Sequence, residues 1–500
     1  MRLRGKRRTV IAATAVGVFV AICLLARPVT HLAGVAWRDV DQLLPLPDNY
    51  VDDASRMNAE RVAESWRIPT APKAAETQLA ELLRRASEEG LKVSIAGSRH
   101  TMGGHTIYPD GIVIDMTPFR RMSLDAASEL LTVQAGAKWS EVIPYLNRHD
   151  RSVGVMQSNN SFTVGGSLSC NCHGWQFGKP PIASTVESFR LMLADGSIKR
   201  CSRAENAELF SLALGGYGLF GVILEAELRV VPNERYRLEQ FVVPIAAATE
   251  AFDLHVKSRD DVAMAYGRLG IAPARFLGDA IINVLYVDPA ADGALPQLGT
   301  PKSIALRRQM FRGSVGSDYG KELRWSAEAK LQPQLNERYF SRNQLLNEGV
   351  EVFQNRSASS TDVLHEYFVP RDGLPRFIQA VQRIVPKHHA DLLNVTVRHV
   401  EEDQDTFLRY ADREFFALVM LFNQPTTAAG DAAMEAVTRE LIDAADAAGG
   451  RYYLPYRLHA STAQFERAYP HGAEFFALKR KYDPQELFQN EFYLTYGRAK

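Results

Sequence analysis

Three glycine-punctuated segments carry the residues best suited to chemistry. They read Ala-Gly-Ser-Arg-His-Thr-Met-Gly-Gly over 96–104, Asn-Asn-Ser-Phe-Thr-Val-Gly-Gly-Ser-Leu over 159–168, and Gly-Gly-Tyr-Gly-Leu-Phe-Gly-Val-Ile over 215–223. Small residues after a strand let successive backbone N–H groups turn toward one anion, so the first segment suits a pyrophosphate. The second suits a backbone laid against a planar ligand. The first segment lacks both G-x-G-x-x-G and Walker spacing, which argues against a Rossmann or P-loop site.

Helices and strands must hold these segments in place. Apolar spacing predicts a helix over 75–89 that Gly90 closes, and a second helix over 138–149. Short β-type runs predict strands over 92–96, 111–116, 130–135 and 220–231, and a hairpin of 186–194 with 197–201 around Asp195-Gly196. Ser202 and Glu205 predict a capping box that begins a third helix. This mixture indicates an α+β domain.

The N-terminus departs from the average composition of the chain. Five basic residues between positions 2 and 8 precede an uncharged, mostly apolar run from Thr9 to Ala26, which Arg27-Pro28 ends. This pattern predicts a single-pass membrane anchor with the body on the periplasmic or extracytoplasmic side. A cleaved signal peptide is the alternative, and Arg7-Arg8 resembles a twin-arginine export signal. The chain as a whole has balanced charge, 58 basic against 58 acidic residues, so no nucleic-acid partner is expected.

No metal site is expected. Cys170-Asn-Cys172 lacks a second cysteine pair at metal-ligand spacing, and buried thiols beside a ligand are the preferred interpretation. The acidic stretch from Glu401 to Asp405 is interpreted as a solvated loop.

The order of the motifs resembles a known family. Gly-Ser-Arg-His-Thr, then Thr-Val-Gly-Gly-Ser-Leu with His-Gly, then Leu-Ala-Asp-Gly-Ser, then Gly-Gly-Tyr-Gly-Leu-Phe-Gly-Val-Ile resemble the PCMH-type FAD-binding domain of the vanillyl-alcohol oxidase superfamily. Lys-Tyr-Asp-Pro-Gln-Glu-Leu-Phe-Gln-Asn over 481–490 is similar to that superfamily's closing signature. Within it, the chain looks nearest to the aldonolactone and alditol oxidases and to the decaprenylphosphoryl-ribose oxidases.

The resemblance implies an α+β fold with a two-subdomain FAD-binding domain and an α/β substrate (cap) domain, and the N-terminal apolar run adds a predicted transmembrane helix. We divide the chain into a basic tail and anchor (1–28), a lead-in linker (29–64), the FAD-binding domain (65–235), the cap (236–460) and a C-terminal segment that returns to the FAD domain (461–500).

The resemblance also implies which residues hold FAD. They are Gly97, Ser98, Arg99, His100, Thr101, Met102, Ser161, Thr163, Val164, Gly165, Gly166, Ser167, Cys170, His173, Gly174, Gly218, Gly221, Val222, Ile223 and Asn490. His100 falls where many members bond an imidazole nitrogen to the flavin, and an ordinary loop histidine beside the flavin is the alternative. The offset of the two cysteines from Gly165-Gly166 matches a second, cysteinyl link poorly.

Related oxidases place a Glu-x-Arg pair on a cap strand and a lysine after a Gly-Gly-Arg stretch. Here Arg398 is retained, Thr396 stands at the carboxylate position, and Tyr456 stands at the lysine position. The catalytic candidates are Arg398, Tyr456, Arg457, His459 and Glu366, and Asn423 is a further substrate-side candidate.

The resemblance implies an FAD-dependent oxidoreductase that moves a hydride from a CH–OH group of a polyol, sugar or aldonolactone to the flavin. Oxygen or a membrane quinone is the expected electron acceptor. Two alternatives remain open at this point. One is a membrane-associated oxidase of a lipid-linked sugar or sterol-like substrate. The other is a flavoprotein binding module without turnover, because Thr396 and Tyr456 replace two residues that related oxidases place at the substrate.

Overall fold

A computed structural model describes residues 26–288, 295–299, 303–335 and 339–498. The predicted anchor from Thr9 to Ala26 lies outside the described residues except for its last position. Across the described ranges, no helix is both long and apolar enough to span a bilayer.

The first part of the chain builds a small parallel sheet covered by one helix. Its elements are α1 (residues 26–38), β1 (Tyr50–Val51), β2 (Glu60–Arg61), β3 (Glu64–Arg67), α2 (Pro72–Glu89), β4 (Val93–Ala96) and β5 (Ile112–Asp115). The strand order is β3-β5-β4, with both pairs parallel. Helix α2 buries Leu79, Leu82 and Leu83, and Gly90 closes it at φ 70°. The predicted helix and its stop are confirmed.

A second, antiparallel sheet completes this half of the molecule. It contains β6 (Met122–Asp125), β7 (Leu130–Gln134), β8 (Arg151–Val153), β9 (Val186–Met192), β10 (Ile198–Ser202) and β11 (Val222–Pro232), in the order β10-β9-β11-β7-β6 with β8 on β11. Its helices are α3 (Trp139–Asn147), α4 (Val164–Cys170) and α5 (Ala207–Ala213), with a 3₁₀ turn at Ile182–Thr185. The predicted hairpin at Asp195-Gly196 is confirmed, since Ile198 faces Met192.

The predicted capping box at Ser202 and Glu205 is wrong. Ser202 Oγ accepts from the backbone N–H groups of Ala204 and Glu205, so it stabilises a turn. Helix α5 begins only after Asn206, whose left-handed φ of 49° separates that turn from the helix.

The cap is an antiparallel sheet of eight strands with helices against it. The strands are β12 (Arg235–Pro244), β13 (Val262–Leu269), β14 (Asp279–Val287), β15 (Tyr339–Ser341), β16 (Ser360–Val369), β17 (Asp391–Val400), β18 (Phe415–Pro425) and β19 (Arg451–Tyr452), in the order β15-β12-β14-β13-β17-β18-β16-β19. The helices are α6 (Ala248–Phe252), α7 (Ile304–Arg312), α8 (Asp318–Ser326), α9 (Gln332–Leu335), α10 (Arg342–Leu346), α11 (Leu374–Lys387) and α12 (Ala428–Ala447). Helices α11 and α12 bury their apolar faces, which leaves the opposite face of the central strands available for a ligand.

The C-terminal elements α13 (Thr462–Ala468), α14 (Gly472–Tyr482) and α15 (Glu491–Tyr496) lead back to the first sheet. Val93 donates to the Leu487 carbonyl at 2.8 Å and accepts from the Gln489 N–H at 3.0 Å. Asp483 holds this return, because its carboxylate accepts from the N–H groups of Leu487 and Phe488 and pairs with Lys479.

Candidate active site

One large cavity lies between the FAD-binding half and the inner face of the cap sheet. Its volume is about 1500 Å³, and all three glycine-punctuated segments reach its wall. A pocket for one drug-sized ligand usually occupies about 300–1000 Å³. The cavity therefore has room for a dinucleotide and a second molecule.

The first glycine segment offers unused hydrogen-bond donors. Within the described chain, the backbone N–H groups of residues 98–101 donate to no other protein group. Three buried side-chain atoms of the same loop also lack a partner there: Ser98 Oγ, Arg99 Nε and Thr101 Oγ1. Arg99 adopts a left-handed φ of 53°, which interrupts the extended backbone and forms a concave turn. These groups fit the pyrophosphate of FAD.

The second segment packs directly on the first. A Cβ atom on Gly97 would overlap Thr163 Oγ1, so only glycine permits this approach of the two loops. Thr163 begins α4 by accepting from the Gly166 N–H, and Ser167 Oγ accepts from Trp139 Nε1 at 2.8 Å. The small residues therefore bring helix α4 to the cavity wall with its N-terminus anchored.

His100 lies on the cavity wall and stacks on Phe162 with ring centroids 4.2 Å apart. Burial, reinforced by the charge of Lys138, lowers its pKa to about 4. The imidazole is therefore neutral at pH 7, which is the form with a free nitrogen lone pair.

Cys170 and Cys172 also line the cavity as free thiols. Burial raises the pKa of Cys172 to about 12, and Cys172 Sγ lies 2.9 Å from Gln157 Oε1. Both observations favour a neutral thiol that packs beside the ligand. Among the described residues, no group of His, Cys, Asp or Glu is placed to hold a metal ion.

A buried acid–histidine pair crosses the boundary between the two halves. His173 Nε2 and Glu366 Oε1 are 2.6 Å apart, and their side chains are 4% and 1% exposed. Tyr456 donates its hydroxyl to Glu366 Oε2 at 3.1 Å. Burial opposes ionisation of Glu366, but His173, Arg398 and the Tyr456 hydroxyl together hold its pKa below the ordinary value.

The same burial sets the protonation state of His173. It lowers the pKa of this histidine, and the attraction of Glu366 only partly opposes the effect. A neutral His173 donates its Nε2 proton to Glu366, which leaves Nδ1 as an acceptor. His173 Nδ1 is buried and has no partner among the described residues.

Arg398 connects the cap to the FAD-binding half. Its guanidinium donates to the His173 carbonyl at 3.2 Å and to Ser158 Oγ at 2.8 Å. Its Nε is buried and has no partner in the described chain. A cation whose Nε–H has no partner among the described residues therefore lies beside the acid–histidine pair.

We call the face of the cap sheet that lines the cavity the cavity floor. Because side chains alternate between the two faces of a strand, every second residue of these strands lies on it. Alternate residues of β12, β13, β14, β16, β17 and β18 reach the cavity: Leu238, Gln240, Tyr266, Arg268, Ile281, Asn283, Leu285, Leu364, Glu366, Asn394, Thr396, Arg398, Val419 and Leu421. Thr396 accepts from Arg268, which is also paired with Glu328 at 2.9 Å. Polar and apolar groups thus share one sheet face, with the polar ones concentrated on β13 and β17.

Most of the sequence-predicted FAD residues line this cavity. They are Gly97, Ser98, Arg99, His100, Thr101, Met102, Thr163, Gly165, Gly166, Ser167, Cys170, His173, Gly218, Gly221 and Ile223. Five do not: Ser161, Val164, Gly174, Val222 and Asn490.

The structure gives those five residues other contacts. Val164 and Val222 are fully buried in the core, and a Cβ on Gly174 would overlap the Met156 carbonyl. Ser161 Oγ accepts from the Val350 N–H at 3.4 Å. Asn490 donates to the carbonyls of His105 and Tyr217 and caps α15. They support the wall without forming it.

Two catalytic candidates are corrected. Arg457 pairs with Asp431 at 2.6 Å and donates to Asn58, and it does not line the cavity. His459 contacts Asp431 and Thr438, also away from the cavity. Their nearness in sequence to Tyr456 is misleading, because the chain leaves the cavity at that point. Arg398, Tyr456 and Glu366 do line it.

Two further expectations change. Asn423 donates to Asp362 and to the Thr361 carbonyl and does not reach the cavity. Asp403 is only 1% exposed and accepts from Asn171, so the solvated-loop interpretation of the acidic stretch is wrong at this residue. Burial raises its pKa above the ordinary value.

The sequence did not single out several residues that the structure brings to the cavity. Gln157 and Ser158 precede the second glycine segment, and the polar run from 157 to 161 was an available signal. Arg268 sits in an unremarkable strand, Ala-Met-Ala-Tyr-Gly-Arg-Leu. Only its pairing opposite Thr396 shows that it reaches the cavity floor.

Comparison with known proteins agrees with this architecture. Residues 72–202 match the FAD binding domain family, and residues 321–496 match the D-arabinono-1,4-lactone oxidase family. These matches confirm the PCMH-type resemblance and FAD as the cofactor.

Three curated relatives illustrate the range of similar proteins. L-gulonolactone oxidase of Mus musculus is 27% identical over 184 residues, covering 37% of this chain and 42% of the relative. Decaprenylphosphoryl-beta-D-ribose oxidase of Mycolicibacterium smegmatis is 32% identical over 154 residues, or 30% and 34% of the two chains. Cytokinin dehydrogenase 10 of Oryza sativa subsp. japonica is 25% identical over 465 residues, or 84% and 82%. The chain spans about half the length or less of the L-gulonolactone oxidases and of several other curated relatives.

Proposed function

Because both matched regions place the chain with the PCMH-type FAD-linked oxidoreductases, we propose that it oxidises a CH–OH group of a polyol, sugar or aldonolactone. The observation that carries the proposal is the buried pair of His173 and Glu366 beside Arg398. When bound, FAD supplies the acceptor for the hydride.

His173 acts as the general base in this proposal. Glu366 fixes the imidazole by accepting a hydrogen bond from its Nε2–H. His173 Nδ1 therefore keeps its lone pair, which takes the hydroxyl proton of the substrate. Tyr456 holds the second carboxylate oxygen at 3.1 Å. Burial raises its pKa well above the ordinary value, so its hydroxyl stays a neutral donor.

Arg398 stabilises the negative charge that develops on the substrate oxygen. Its two terminal nitrogens donate hydrogen bonds to uncharged oxygen atoms, so neither of these bonds pairs the guanidinium with a carboxylate. A fixed cation in a site that excludes water is worth more than one in bulk solvent. Removing one such donor typically costs about 10²–10³ in kcat.

The polar part of the cap floor supports a hydroxylated substrate. Asn394, Thr396 and Arg268 lie one or two pleats from Arg398 along β17 and its neighbour. Thr396 carries no charge where related oxidases have a carboxylate, so the substrate contacts differ from theirs.

An oxidase of a lipid-linked or sterol-like substrate is the second candidate, and one observation favours it. Pro28, Leu32, Leu43, Met310 and Phe311 all contribute apolar side chains to the cavity wall. An N-terminal anchor and an extracytoplasmic body, both predicted from the sequence, would suit the same substrate class. Oxygen or a membrane quinone would accept the electrons.

We also propose that His100 is the covalent attachment point of FAD. The support is its place on the wall and its neutral imidazole.

An anaerobic screen tests the proposed activity. The purified protein is mixed with polyols, aldonolactones, prenyl-phosphate sugars and sterols while the absorbance of its flavin is followed. We expect a polyol, sugar or aldonolactone to bleach the flavin, while bleaching by lipid substrates alone would favour the second candidate. A wild-type flavin that no donor bleaches, although it is reduced by dithionite, would instead indicate a binding module.

A further inference from the structure

The N-terminal segment of the described chain is apolar on two opposite faces. In α1 the residues that face the body are Pro28, His31, Leu32 and Val35, at the spacing of one helical face. Val29 and Ala33, which lie between them in the sequence, and Trp37, which follows them, are exposed. The polar residues Arg27, Thr30 and Arg38 occupy only the remaining side, so the apolar surface of α1 extends well beyond the side that faces the body.

The exposed apolar surface continues beyond the helix. Trp37 and Leu44 are 85% and 87% exposed, and Val29, Val40, Leu43 and Leu46 are exposed as well. Half of the large apolar side chains exposed in the described chain thus fall between residues 29 and 46. Scattered apolar residues are ordinary on a protein surface, but a concentration of this kind marks an interaction site.

This segment is firmly attached to the cap. His31 Nε2 lies 2.9 Å from the Gly313 carbonyl, and Arg308 holds Asp39 with two contacts of 2.7 and 2.8 Å. Arg27 stacks over the Tyr319 ring at 4.0 Å. The outward apolar side chains are therefore presented from a fixed position.

The same surface borders the cavity. Leu32 and Leu43 line it, and so does Leu331, which is 54% exposed. Leu306, 52% exposed, lies on α7 close to Arg308, the residue that binds Asp39. Apolar side chains therefore extend from the outer surface into the cavity wall.

We propose that residues 26–46 dock on the surface of a phospholipid bilayer, with the mouth of the cavity facing the lipid. The sequence supports this partner over another protein, because the mostly apolar run from Thr9 to Ala26 and its basic flank lead directly into α1. Tryptophan favours the membrane–water interface, and the exposed Arg27 and Arg38 are suited to lipid phosphates. The inference does not depend on the proposed function.

Quenching of tryptophan fluorescence by brominated lipid tests this surface. The full chain is reconstituted in phosphatidylcholine–phosphatidylglycerol vesicles with or without acyl chains brominated near the glycerol end. Subtracting the spectrum of Trp37→Phe isolates the emission of Trp37. We expect brominated lipid to quench that emission, and Val29→Ser/Val40→Ser/Leu44→Ser to reduce the quenching. Leu254→Ser, at an exposed leucine elsewhere on the cap, is the matched control and should leave quenching unchanged.

Three outcomes would overturn the proposal. Trp37 emission that brominated lipid leaves unchanged in reconstituted protein would show that the body stands away from the bilayer. Blue-shifted Trp37 emission without vesicles, independent of concentration and insensitive to brominated lipid, would show that residues 1–25 cover the surface. A blue shift that appears only at high protein concentration would assign it to a second copy of the chain. None of these measurements requires turnover, so they leave the proposed reaction untouched.

Discussion

His173 of the FAD-binding half and Glu366 of the cap are joined across the cavity by a 2.6 Å contact between Nε2 and Oε1. His173 follows the second glycine segment, and Glu366 lies on β16, the next-to-last strand in the order of the cap sheet. The contact therefore forms only when the two halves of the chain are correctly packed. It makes the base of the proposed reaction dependent on the cap.

Replacing Glu366 with Gln should slow flavin reduction and move its pH dependence. Reduction requires neutral His173, so its rate should fall as pH drops through the pKa of that residue, which burial keeps below 6.5. The carboxylate opposes this lowering, so Glu366→Gln should shift the acid limb to still lower pH. Because His173 stays in place, the rate should fall by less than the full contribution of a positioned base, which is about 10²–10⁴.

Stopped-flow reduction across pH 4–8, with FAD content measured in parallel, checks the shift. Glu401→Gln, at an acidic residue outside the cavity, is the control. An acid limb that stays in place in Glu366→Gln would remove His173 from the role of base.

Arg398→Ala should lower the rate of substrate-dependent flavin reduction by about 10²–10³ while FAD content is retained. Arg398→Lys should recover part of the rate, because it keeps the charge but not the two-pronged contact with Ser158 and the His173 carbonyl. The measurements are single-turnover kinetics and the ratio of flavin to protein absorbance. Equal losses of rate and of flavin would reassign Arg398 to holding the two halves together.

His100→Ala should release FAD from the protein. After acid precipitation, the flavin of the wild type should stay in the pellet, and that of the variant should appear in the supernatant. His105, which is 4% exposed and stacks on Phe492, is the matched loop histidine. His105→Ala should therefore keep its flavin in the pellet. Wild-type flavin that washes free would leave His100 as an ordinary wall residue.

Gly97→Ala should reduce FAD content, because the added Cβ overlaps Thr163 Oγ1 and forces the first two loops apart. Thr163→Ala removes the overlapping oxygen and one methyl group. The double variant should therefore regain part of the FAD lost in Gly97→Ala. Flavin absorbance per protein after purification measures both effects. A double variant with no more FAD than Gly97→Ala would show that the strain lies elsewhere.

Local patterns predicted the elements around the FAD loops well. They failed where contacts between residues far apart in the sequence determine the position of a side chain. Gly90 and Asp195-Gly196 act through their own backbone, so helix α2 and the β9–β10 hairpin followed from the sequence. Arg457 and His459 were placed at the site because they follow Tyr456, but their partner Asp431 lies on α12. Arg268 was missed because its role depends on register opposite Thr396, which no local pattern encodes.

The contacts of Arg457 with Asp431 should matter for stability and not for reaction. Burial opposes the charge on Asp431, but His459 and Arg457 hold its pKa well below the ordinary 3.8. A carboxyl with a depressed pKa stabilises the fold above its unfolded pKa, and that stability is lost as pH falls below it.

Arg457 is 10% exposed and Asp431 28%, so Arg457→Leu should lower the free energy of unfolding by about 1–3 kcal/mol, less than breaking a fully buried pair would. Thermal unfolding should show a lower Tm at pH 7 and a smaller difference from wild type near pH 3. The rate of flavin reduction should stay unchanged. Arg413→Leu removes the exposed contact with Asp412 and should leave Tm almost unaltered. Loss of reduction rate in Arg457→Leu at full FAD content would return Arg457 to the active site.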